Sequence, residues 1–310
     1  MQTAVVNKLV VIGAGQMGGG IALTAARMAN MPVCLVDSNA GSIEKQRSLF
    51  KQLLSKDVKR EKITIQQADE IIGRIRFETN LAASVEDADF VIEAIPEDLD
   101  LKADLFKKLS DNLKNADCIV ATNTSSISIT KLASLYKRPM NVVGMHFMNP
   151  VPVMQLVEVI KAMQTSDGVV DKVMQLAGAM GKTCIVAPDT PAFTANRLLA
   201  PYLNEAVQLL FENGWRPDNH GDGGNNNKHA HAITPDSIDQ IMKLGSNVPM
   251  GPLRLADFVG LDTLLSIMKV LDKSGLGSGG KYAPSPLLSL MVDAGWLGKK
   301  TGRGFYNDYN

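Results

Sequence analysis

A histidine and a glutamate twelve positions apart are the residues whose types and spacing most directly suggest chemistry. His146 and Glu158 both lie in the apolar stretch GMHFMNPVPVMQLVEVI, residues 144–160, and Glu158 falls in a run typical of a strand. The other three histidines of the chain lie between residues 220 and 231. Histidine can exchange a proton near neutral pH, so the pair could act in acid–base catalysis. A lone histidine in an apolar run is more often a satisfied core residue, and these two residues alone leave both interpretations open.

The segment LVVIGAGQMGGGIALTAARMA, residues 9–29, carries a dinucleotide-binding pattern. An apolar run at 9–12 is typical of a buried parallel strand, and helix-forming residues follow three glycines in G-x-G-x-x-G spacing. In this pattern the glycines allow a tight turn, close approach of a pyrophosphate, and close packing of helix on strand. We therefore predict a dinucleotide at the N-terminus of this helix. The residues of the predicted turn are Gly13, Ala14, Gly15, Gln16, Met17 and Gly18.

The residue that ends the second predicted strand, 33–36, is Asp37. An acid at this position can accept hydrogen bonds from both ribose hydroxyls and would repel a 2′-phosphate. No arginine follows directly, so the sequence favours NAD over NADP. The alternative is an ordinary glycine-rich turn beside a solvated aspartate.

Strand and helix patterns alternate through the first half of the chain. Further strands are predicted at 90–95, 118–121 and 142–147. This alternation predicts an α/β fold with a doubly wound parallel sheet of the Rossmann type, which binds ligands at the carboxyl ends of its strands. Glu97, Lys102 and the TNTSS segment, 122–126, fall at that edge. A surface ion pair and a helix cap are the alternatives for these residues.

After VAPDTP, residues 186–191, the pattern becomes helical and predicts an all-α carboxyl-terminal domain. Helices are predicted at 193–212, 235–244, 253–271 and 285–294. We place the boundary near Pro188, which gives domains 1–188 and 189–310. Asn196 lies near the start of the first helix, where it could face a cleft between the domains or cap the helix.

Two polar segments carry weaker signals. Residues 215–231 are rich in glycine and asparagine and predict an exposed loop insertion that is dispensable for chemistry. Its histidines and aspartates lack the framing of a zinc site, so no metal is predicted. A polar helix is predicted over 43–62, with Lys56 and Arg60 on one face. That face could be merely solvated, or it could bind a phosphate-bearing substrate.

The composition disfavours several classes of protein. Lys plus Arg and Asp plus Glu each number 32, so no global field attracts nucleic acid or an anionic membrane. No apolar stretch approaches the roughly 20 residues that span a bilayer. Three cysteines in strand-like runs suggest reduced thiols and a soluble intracellular protein. The first strand begins too early to leave room for a targeting segment, so mitochondrial matrix and cytoplasm both stay open.

Seven motifs, in this order, resemble the short-chain L-3-hydroxyacyl-CoA dehydrogenase family, which includes the 3-hydroxybutyryl-CoA dehydrogenases. They are VIGAGQMG, VIEAIPEDLDLK, NTSS, HFMNPVPVMQLVEVI, DTPAFTANRLL, MGPLRLADFVGLD and GKKTGRGFY. The resemblance covers nearly the whole chain. It implies reversible NAD-dependent oxidation of (S)-3-hydroxyacyl-CoA to 3-ketoacyl-CoA, in fatty-acid β-oxidation or related short-chain metabolism. It also implies a helical domain that forms most of a homodimer interface, and a cleft between the two domains.

The resemblance further implies roles for individual residues. His146 would be the general base and Glu158 its partner, while Ser125 and Asn196 would contact the substrate. The residues implied in cofactor binding, beyond the glycine-rich turn, are Asp37, Glu97, Lys102, Ser125, Asn149 and Lys300.

Substrate recognition is where this chain departs from the family pattern. Arg60 would meet a coenzyme A phosphate, with Lys56 on the same face. Leu53 stands where the family has a serine, which puts the details of coenzyme A recognition in question. Ala192 stands where glycine is frequent.

The implied chemistry explains the apolar setting of the histidine. Hydride transfer from C3 to NAD requires removal of the hydroxyl proton, and histidine suits this task. Apolar surroundings disfavour the imidazolium ion that forms, whereas a nearby carboxylate favours it and fixes the tautomer. His146 therefore needs Glu158 to be an effective base.

Two other classes of protein could carry the same fold. One is a dehydrogenase of free hydroxy acids, which would not need Lys56 or Arg60, and the other is a binding protein without turnover.

Overall fold

The computed structural model describes residues 6–216 and 233–309. The chain divides into two compact units, Met1–Thr190 and Pro191–Asn310, and each has its own hydrophobic core. The division falls two residues beyond the boundary that the sequence places near Pro188.

The first unit is built on one eight-stranded sheet. Its strands are β1 (Leu9–Ile12), β2 (Val33–Val36), β3 (Ile75–Glu78), β4 (Phe90–Glu93), β5 (Ile119–Thr122), β6 (Val142–Phe147), β7 (Leu156–Lys161) and β8 (Thr183–Pro188). Their order is β3-β2-β1-β4-β5-β6-β7-β8. The strands from β3 to β6 run parallel, β7 is antiparallel to β6, and β8 is parallel to β7.

This sheet confirms the predicted doubly wound fold. Strands β1, β2, β4 and β5 are buried at every position, as expected where both faces are covered by helices. Strand β3 lies at the edge of the sheet, and only its first residue, Ile75, is buried. It therefore lacks a continuous apolar run, and the sequence patterns do not predict it.

Seven helices accompany the sheet within the described part of this unit. They are α1 (Gln16–Met28), α2 (Ala40–Lys59), α3 (Ile65–Gly73), α4 (Leu81–Val85), α5 (Leu99–Asn112), α6 (Ile129–Ala133) and α7 (Asp167–Ala179). The polar helix predicted over 43–62 corresponds to α2, which begins and ends three residues earlier than predicted, so the predicted end is wrong. Asn39 caps the start, accepting from the Gly41 and Ser42 amides, and Glu61, with φ of 57°, ends the helix in the left-handed region. Arg60 is consequently the C-cap residue rather than an interior one.

The second unit is helical, which confirms the predicted carboxyl-terminal domain class. Its described helices are α8 (Ala195–Glu212), α9 (Pro235–Ser246), α10 (Pro252–Val259), α11 (Leu261–Lys273) and α12 (Pro286–Asp293). The single helix predicted over 253–271 is wrong, because Gly260, with φ of 96°, breaks it into α10 and α11. Helix α8 begins two residues later than predicted, since Ala192 and Phe193 have φ of 61° and 51°.

The start of the predicted loop insertion belongs to the core of the second unit. Trp215 is only 8% exposed, and its ring centroid lies 5.8 Å from that of Phe305. The prediction of an exposed loop is wrong for this residue, because a large aromatic ring stabilises the fold more when it is packed than when it is hydrated. The rest of the predicted insertion, from residue 217 to 231, lies outside the described residues.

The described ranges also bear on membranes, metals and thiols. None of their helices combines the length and apolarity needed to cross a bilayer. They contain no cluster of three or more histidine, cysteine or acidic side chains placed to hold a metal ion. Cys34, Cys118 and Cys184 are free thiols, and burial raises the pKa of Cys118 to about 12, which keeps it protonated.

Candidate active site

The histidine and glutamate of the opening stretch form a direct pair on neighbouring strands. His146 on β6 and Glu158 on β7 are register partners in the antiparallel ladder, so their side chains emerge side by side. Nδ1 of His146 lies 2.8 Å from Oε2 of Glu158. The two residues are 7% and 2% exposed. The connector 148–155 thus returns the chain so that a spacing of twelve becomes a cross-strand contact.

This contact determines what the imidazole can do. A carboxylate beside Nδ1 favours the tautomer that carries its proton on Nδ1, and a further proton is then taken up at Nε2. The resulting imidazolium ion would be paired with Glu158 in surroundings that hold little water, where a charge without a partner is costly. The pair can therefore accept and return one proton, which is the chemistry expected of a general base.

The glycine-rich turn between β1 and α1 has the geometry of a dinucleotide site. Gly13 has φ of 105°, and a Cβ there would lie 2.5 Å from the carbonyl oxygen of Ala94. A Cβ on Gly18 would meet the carbonyl oxygen of Gly13 at 1.9 Å, so the helix packs against the turn as predicted. Beside Gly15 there is open space within 4 Å, which leaves room for a pyrophosphate to approach the backbone.

Asp37 is held at the edge of this turn. Its carboxylate accepts a hydrogen bond from the Ala14 amide at 2.7 Å and another from the Asn39 amide at 2.8 Å. It directly follows β2, whose neighbour β1 leads into the turn, so the acid and the glycine loop share the carboxyl edge of the sheet. A carboxylate fixed there can accept hydrogen bonds from the hydroxyls of an adenosine ribose.

Replacing Asp37 with serine should weaken the preference for NADH. A hydrogen bond to a charged group contributes about 1.5–3 kcal/mol, so kcat/KM with NADH should fall about 10- to 100-fold. NADPH should lose less, because the repulsion of its phosphate is removed. The ratio of kcat/KM for the two cofactors measures this, with Asp98→Ser, at the start of α5, as control. Equal efficiency of the unchanged protein with both cofactors would contradict the assignment.

The loop that follows His146 is tied to the glycine-rich turn. Gln16 at the start of α1 donates to Oδ1 of Asn149 at 3.0 Å, and Asn149 precedes a cis peptide bond to Pro150. Lys182 Nζ donates to the carbonyl oxygens of Val151 and Met154 at 2.5 and 2.8 Å. The first unit therefore brings Asn149 next to the predicted dinucleotide site.

A single carboxylate organises the TNTSS loop after β5. Oε1 of Glu97 accepts hydrogen bonds from the Thr124 hydroxyl at 2.6 Å and from the Ser125 amide and hydroxyl at 2.9 and 3.2 Å. Ser126 donates its amide and hydroxyl to the same oxygen at 3.0 and 2.9 Å. Burial raises the pKa of the Glu97 carboxyl, but the Lys102 charge and these donors outweigh it and hold that pKa below its usual value. Glu97 therefore stays ionised and holds Ser125 in place.

Replacing Glu97 with glutamine should make the free energy of unfolding fall less steeply as the pH is lowered. Because its pKa is lowered in the folded state, Glu97 stabilises the protein above the unfolded pKa of about 4.3, and this contribution is lost as the pH falls through the folded value. The carboxylate is partly solvated, so the effect on the unfolding equilibrium should stay below about tenfold. Urea unfolding between pH 7 and pH 3 measures it, with Glu44→Gln on α2 as control. Identical pH slopes for the glutamine variant and the unchanged protein would contradict this account.

Glu93 is a charged residue that the sequence patterns did not single out. It ends β4, is 0% exposed, and its Oε1 lies 2.5 Å from Nζ of Lys102. Lys102 itself is 1% exposed, although the resemblance implies that it contacts the cofactor. A glutamate inside the apolar run of a central strand was the available signal, because such residues are rarely buried unless they are paired.

The remaining predicted residues lie on other elements of the chain. Asn196 is half-buried in the first turn of α8, and Lys300 donates to both carboxylate oxygens of Asp262 at 2.5 Å; both belong to the second unit. Lys56 and Arg60 are exposed at the end of α2.

The fold and the site together define a dinucleotide-dependent dehydrogenase with a Rossmann-type domain. The family model described as the NAD binding domain of 3-hydroxyacyl-CoA dehydrogenase matches residues 8–190. The model of the C-terminal domain of the same family matches residues 228–308. The chain belongs to the 3-hydroxyacyl-CoA dehydrogenase family, and it is an NAD-dependent oxidoreductase. The resemblance drawn from its motifs and the prediction of NAD are thereby confirmed.

Individual relatives are similar to this protein over nearly the whole chain. A Bacillus subtilis protein named "Probable 3-hydroxybutyryl-CoA dehydrogenase" is 46% identical over 302 residues, which cover 97% of each chain. The crystal structure of M. tuberculosis FadB2 matches with a TM-score of 0.88 at 36% identity, covering 97% of this chain and 99% of that one. The crystal structure of an (S)-3-hydroxybutyryl-CoA dehydrogenase from Ralstonia eutropha matches with a TM-score of 0.86 at 39% identity and the same coverage.

Proposed function

We propose that the protein catalyses the reversible oxidation of short-chain (S)-3-hydroxyacyl-CoA to 3-ketoacyl-CoA. The observation that carries the proposal is the buried pair of His146 and Glu158, 2.8 Å apart, in a unit that also holds the glycine-rich turn and Asp37. The relatives from B. subtilis and R. eutropha, whose names specify 3-hydroxybutyryl-CoA, support a short acyl chain. Fatty-acid β-oxidation and related short-chain acyl-CoA metabolism are the processes that use this reaction.

In the proposed mechanism, His146 and Glu158 act as one acid–base unit. Bound NAD supplies the acceptor for the hydride that leaves C3 of the substrate. Nε2 of His146 takes the proton of the 3-hydroxyl group, so that the C3–O bond becomes a carbonyl. Glu158 keeps the ring in the required tautomer and stabilises the imidazolium ion. In the reverse direction the same Nε2 returns the proton to the oxygen at C3.

Other residues position the substrate and the cofactor in this proposal. Ser125, held by Glu97, and Asn196, at the start of α8, hydrogen-bond to the substrate. Asn149, which accepts from Gln16, lies beside the nicotinamide. Lys300 is a further proposed contact of the cofactor.

The coenzyme A group is proposed to interact with the basic end of α2. Lys56 and Arg60 are exposed there, and the two cations are one helical turn apart. Leu53 is exposed one turn earlier and offers apolar contact in place of a serine hydroxyl. A phosphate group of coenzyme A would be held by charge rather than by a buried site.

Replacing Arg60 with alanine should raise KM for acetoacetyl-CoA about tenfold, the cost of one charge-assisted hydrogen bond, with little change in kcat. A contact far from the reacting carbon stabilises ground state and transition state equally, so only binding should suffer. Lys51→Ala, an exposed cation on the same helix, is the control. A loss confined to kcat, or the same rise in KM for the control variant, would contradict the proposed contact.

We also propose that the protein is a homodimer that associates through its second unit. Large apolar side chains are exposed there, among them Leu198 on α8, Ile241 and Leu244 on α9, and Leu290 on α12. A contiguous exposed apolar patch is typical of a surface covered by another protein, and the proposal places these side chains in one such patch. Sedimentation equilibrium should give twice the mass of the chain, and Leu244→Glu should shift the equilibrium toward the monomer.

The experiment that tests the proposed activity is NADH oxidation with acetoacetyl-CoA. Acetoacetate, the free acid, and longer 3-ketoacyl-CoA thioesters are the comparisons. The proposal predicts efficient turnover of acetoacetyl-CoA and little turnover of acetoacetate, because only the thioester carries the phosphates that Lys56 and Arg60 would meet. Equal turnover of thioester and free acid would instead favour a dehydrogenase of hydroxy acids.

A further inference from the structure

Lys182 is a charged residue that has no part in the proposed mechanism. Its ammonium group donates to the carbonyl oxygens of Val151 and Met154 at 2.5 and 2.8 Å. Burial lowers the pKa of this ammonium group, because a charge that is partly removed from water is disfavoured. A cation that nevertheless binds two carbonyl oxygens of one segment fixes the shape of that segment.

The end of α7 directs Lys182 toward this segment. Gly181, with φ of 73°, turns the chain out of the helix, and the amides of Gly181 and Lys182 bond back to the helix at 2.9 Å each. These two bonds form a Schellman motif, which ends a helix at a defined residue. The next amide, that of Thr183, donates to the carbonyl oxygen of Gln155 at 2.9 Å. The backbone of Lys182 is therefore held on both sides.

The segment held in this way is the connector between β6 and β7, residues 148–155. Val151 is 2% exposed, and a Cβ on Gly20 of α1 would lie 3.0 Å from the Cβ of Val151, so the two pack closely. Two residues earlier in the connector, Asn149 accepts from Gln16 on the same helix at 3.0 Å. The connector is thus attached to the start of α1, where the predicted dinucleotide site lies.

We propose that Lys182 is a positioning residue for the dehydrogenase reaction, which holds the connector so that Asn149 stays beside the nicotinamide. This inference rests on the proposed function, because Asn149 has that neighbour only in the proposal. Without Lys182, water can bind the two carbonyl oxygens, and the connector gains conformational freedom close to the reacting atoms. A displacement of about 1 Å at such a place can lower the rate of the chemical step about 10²-fold.

Two other roles for Lys182 must be separated from this one. If the role is purely structural, loss of Lys182 should lower the free energy of unfolding, while the variant that remains folded should react normally. His146 lies three residues before Asn149, so a displaced connector could also disturb the proposed base. The variants and measurements below distinguish all three roles.

Four variants are compared with the unchanged full-length protein. Lys182→Met keeps most of the side-chain stem and removes the donors, whereas Lys182→Arg keeps a cation with donors. Asn149→Ala removes the side chain that is proposed to be positioned, and it is also combined with Lys182→Met. Lys172→Met, at an exposed lysine on α7, is the control.

The first measurement needs neither cofactor nor substrate. Hydrogen exchange of the Val153 and Met154 amides reports on the connector directly, because both donate to the carbonyl oxygen of Pro150 at 3.0 Å. Urea unfolding shows how far each variant is destabilised. The NADH dissociation constant is then measured by fluorescence, and the rate of NADH oxidation by acetoacetyl-CoA in a single turnover. The pH profile of kcat/KM completes the set.

Lys182→Met should make the two connector amides exchange about fivefold faster, the effect of losing about one hydrogen bond. Its single-turnover rate should fall about 10- to 100-fold, and Lys182→Arg should lose less. The NADH dissociation constant should stay within about threefold, because the glycine-rich turn and Asp37 are intact. The double variant should match Asn149→Ala within about threefold, because Lys182 acts through Asn149. The acid side of the pH profile should not move, because His146 is undisturbed.

Five results would overturn the proposal. Unchanged exchange of the connector amides would show that Lys182 does not hold the connector. A normal single-turnover rate in folded Lys182→Met, or the same loss in Lys172→Met, would leave Lys182 without a positioning role. Losses that multiply in the double variant would mean that Lys182 does not act through Asn149, and a displaced acid limb would mean that it acts on His146.

Failure of the proposed function would look different. In that case the unchanged protein would not reduce acetoacetyl-CoA at all. The exchange of the connector amides and the NADH dissociation constant would still decide whether Lys182 holds the connector beside the cofactor site.

Discussion

Replacing His146 with glutamine should lower turnover of acetoacetyl-CoA by about 10²–10⁴-fold, the usual cost of removing a positioned general base. Glutamine can hydrogen-bond to Glu158 but cannot carry the proton that leaves the hydroxyl group. NADH should still bind, because the predicted cofactor contacts lie mainly on the glycine-rich turn and Asp37. Steady-state kinetics and NADH fluorescence titration measure the two effects separately.

Met145→Leu is the matched control for this variant. Met145 is the buried neighbour of His146 on β6, and its side chain points to the opposite face of the sheet. Volume-conserving apolar exchanges cost little, so the control should keep nearly full activity. A His146→Gln variant that keeps more than a tenth of the activity would show that another group accepts the proton.

Replacing Glu158 with glutamine should also remove most activity, by about 10²-fold or more. A neutral amide can orient the imidazole but cannot stabilise its charge, and in other acid–base units this exchange is costly. Combined with His146→Gln it should add little, because residues that work as one unit are not additive. The measurement is kcat for both single variants and the double variant, with Glu78→Gln on β3 as a surface control. Losses that multiply would give Glu158 an independent role.

The parallel sheet and its ligand-binding edge could be predicted because their signals are local. The buried strands are continuous apolar runs, and the glycine spacing with Asp37 follows from adjacent segments. Edge strand β3 lacks such a run, so the sequence patterns do not predict it. The sequence does not predict the break between α10 and α11, because the apolar period continues on both sides of Gly260, where the backbone turns.

The site was predicted in part, according to how far each residue depends on tertiary contacts. His146 and Glu158 could be paired because both lie in successive strand-like runs joined by a short connector. The burial of Lys102 could not be read from its spacing to Glu97, since its principal partner, Glu93, sits in a run that otherwise predicts only a strand. The composition around Trp215 likewise predicts a polar loop, because the partner of this ring, Phe305, lies far along the chain.

The measurement that tests the central claim most directly is the pH profile of kcat/KM for oxidation of (S)-3-hydroxybutyryl-CoA by NAD. If His146 is the base, it must be neutral to accept the hydroxyl proton, so kcat/KM should fall tenfold per unit of pH on the acid side, where one group titrates. The same limb should be absent from the residual activity of His146→Gln. An acid limb that persists unchanged in His146→Gln would assign the proton to another group and contradict the account.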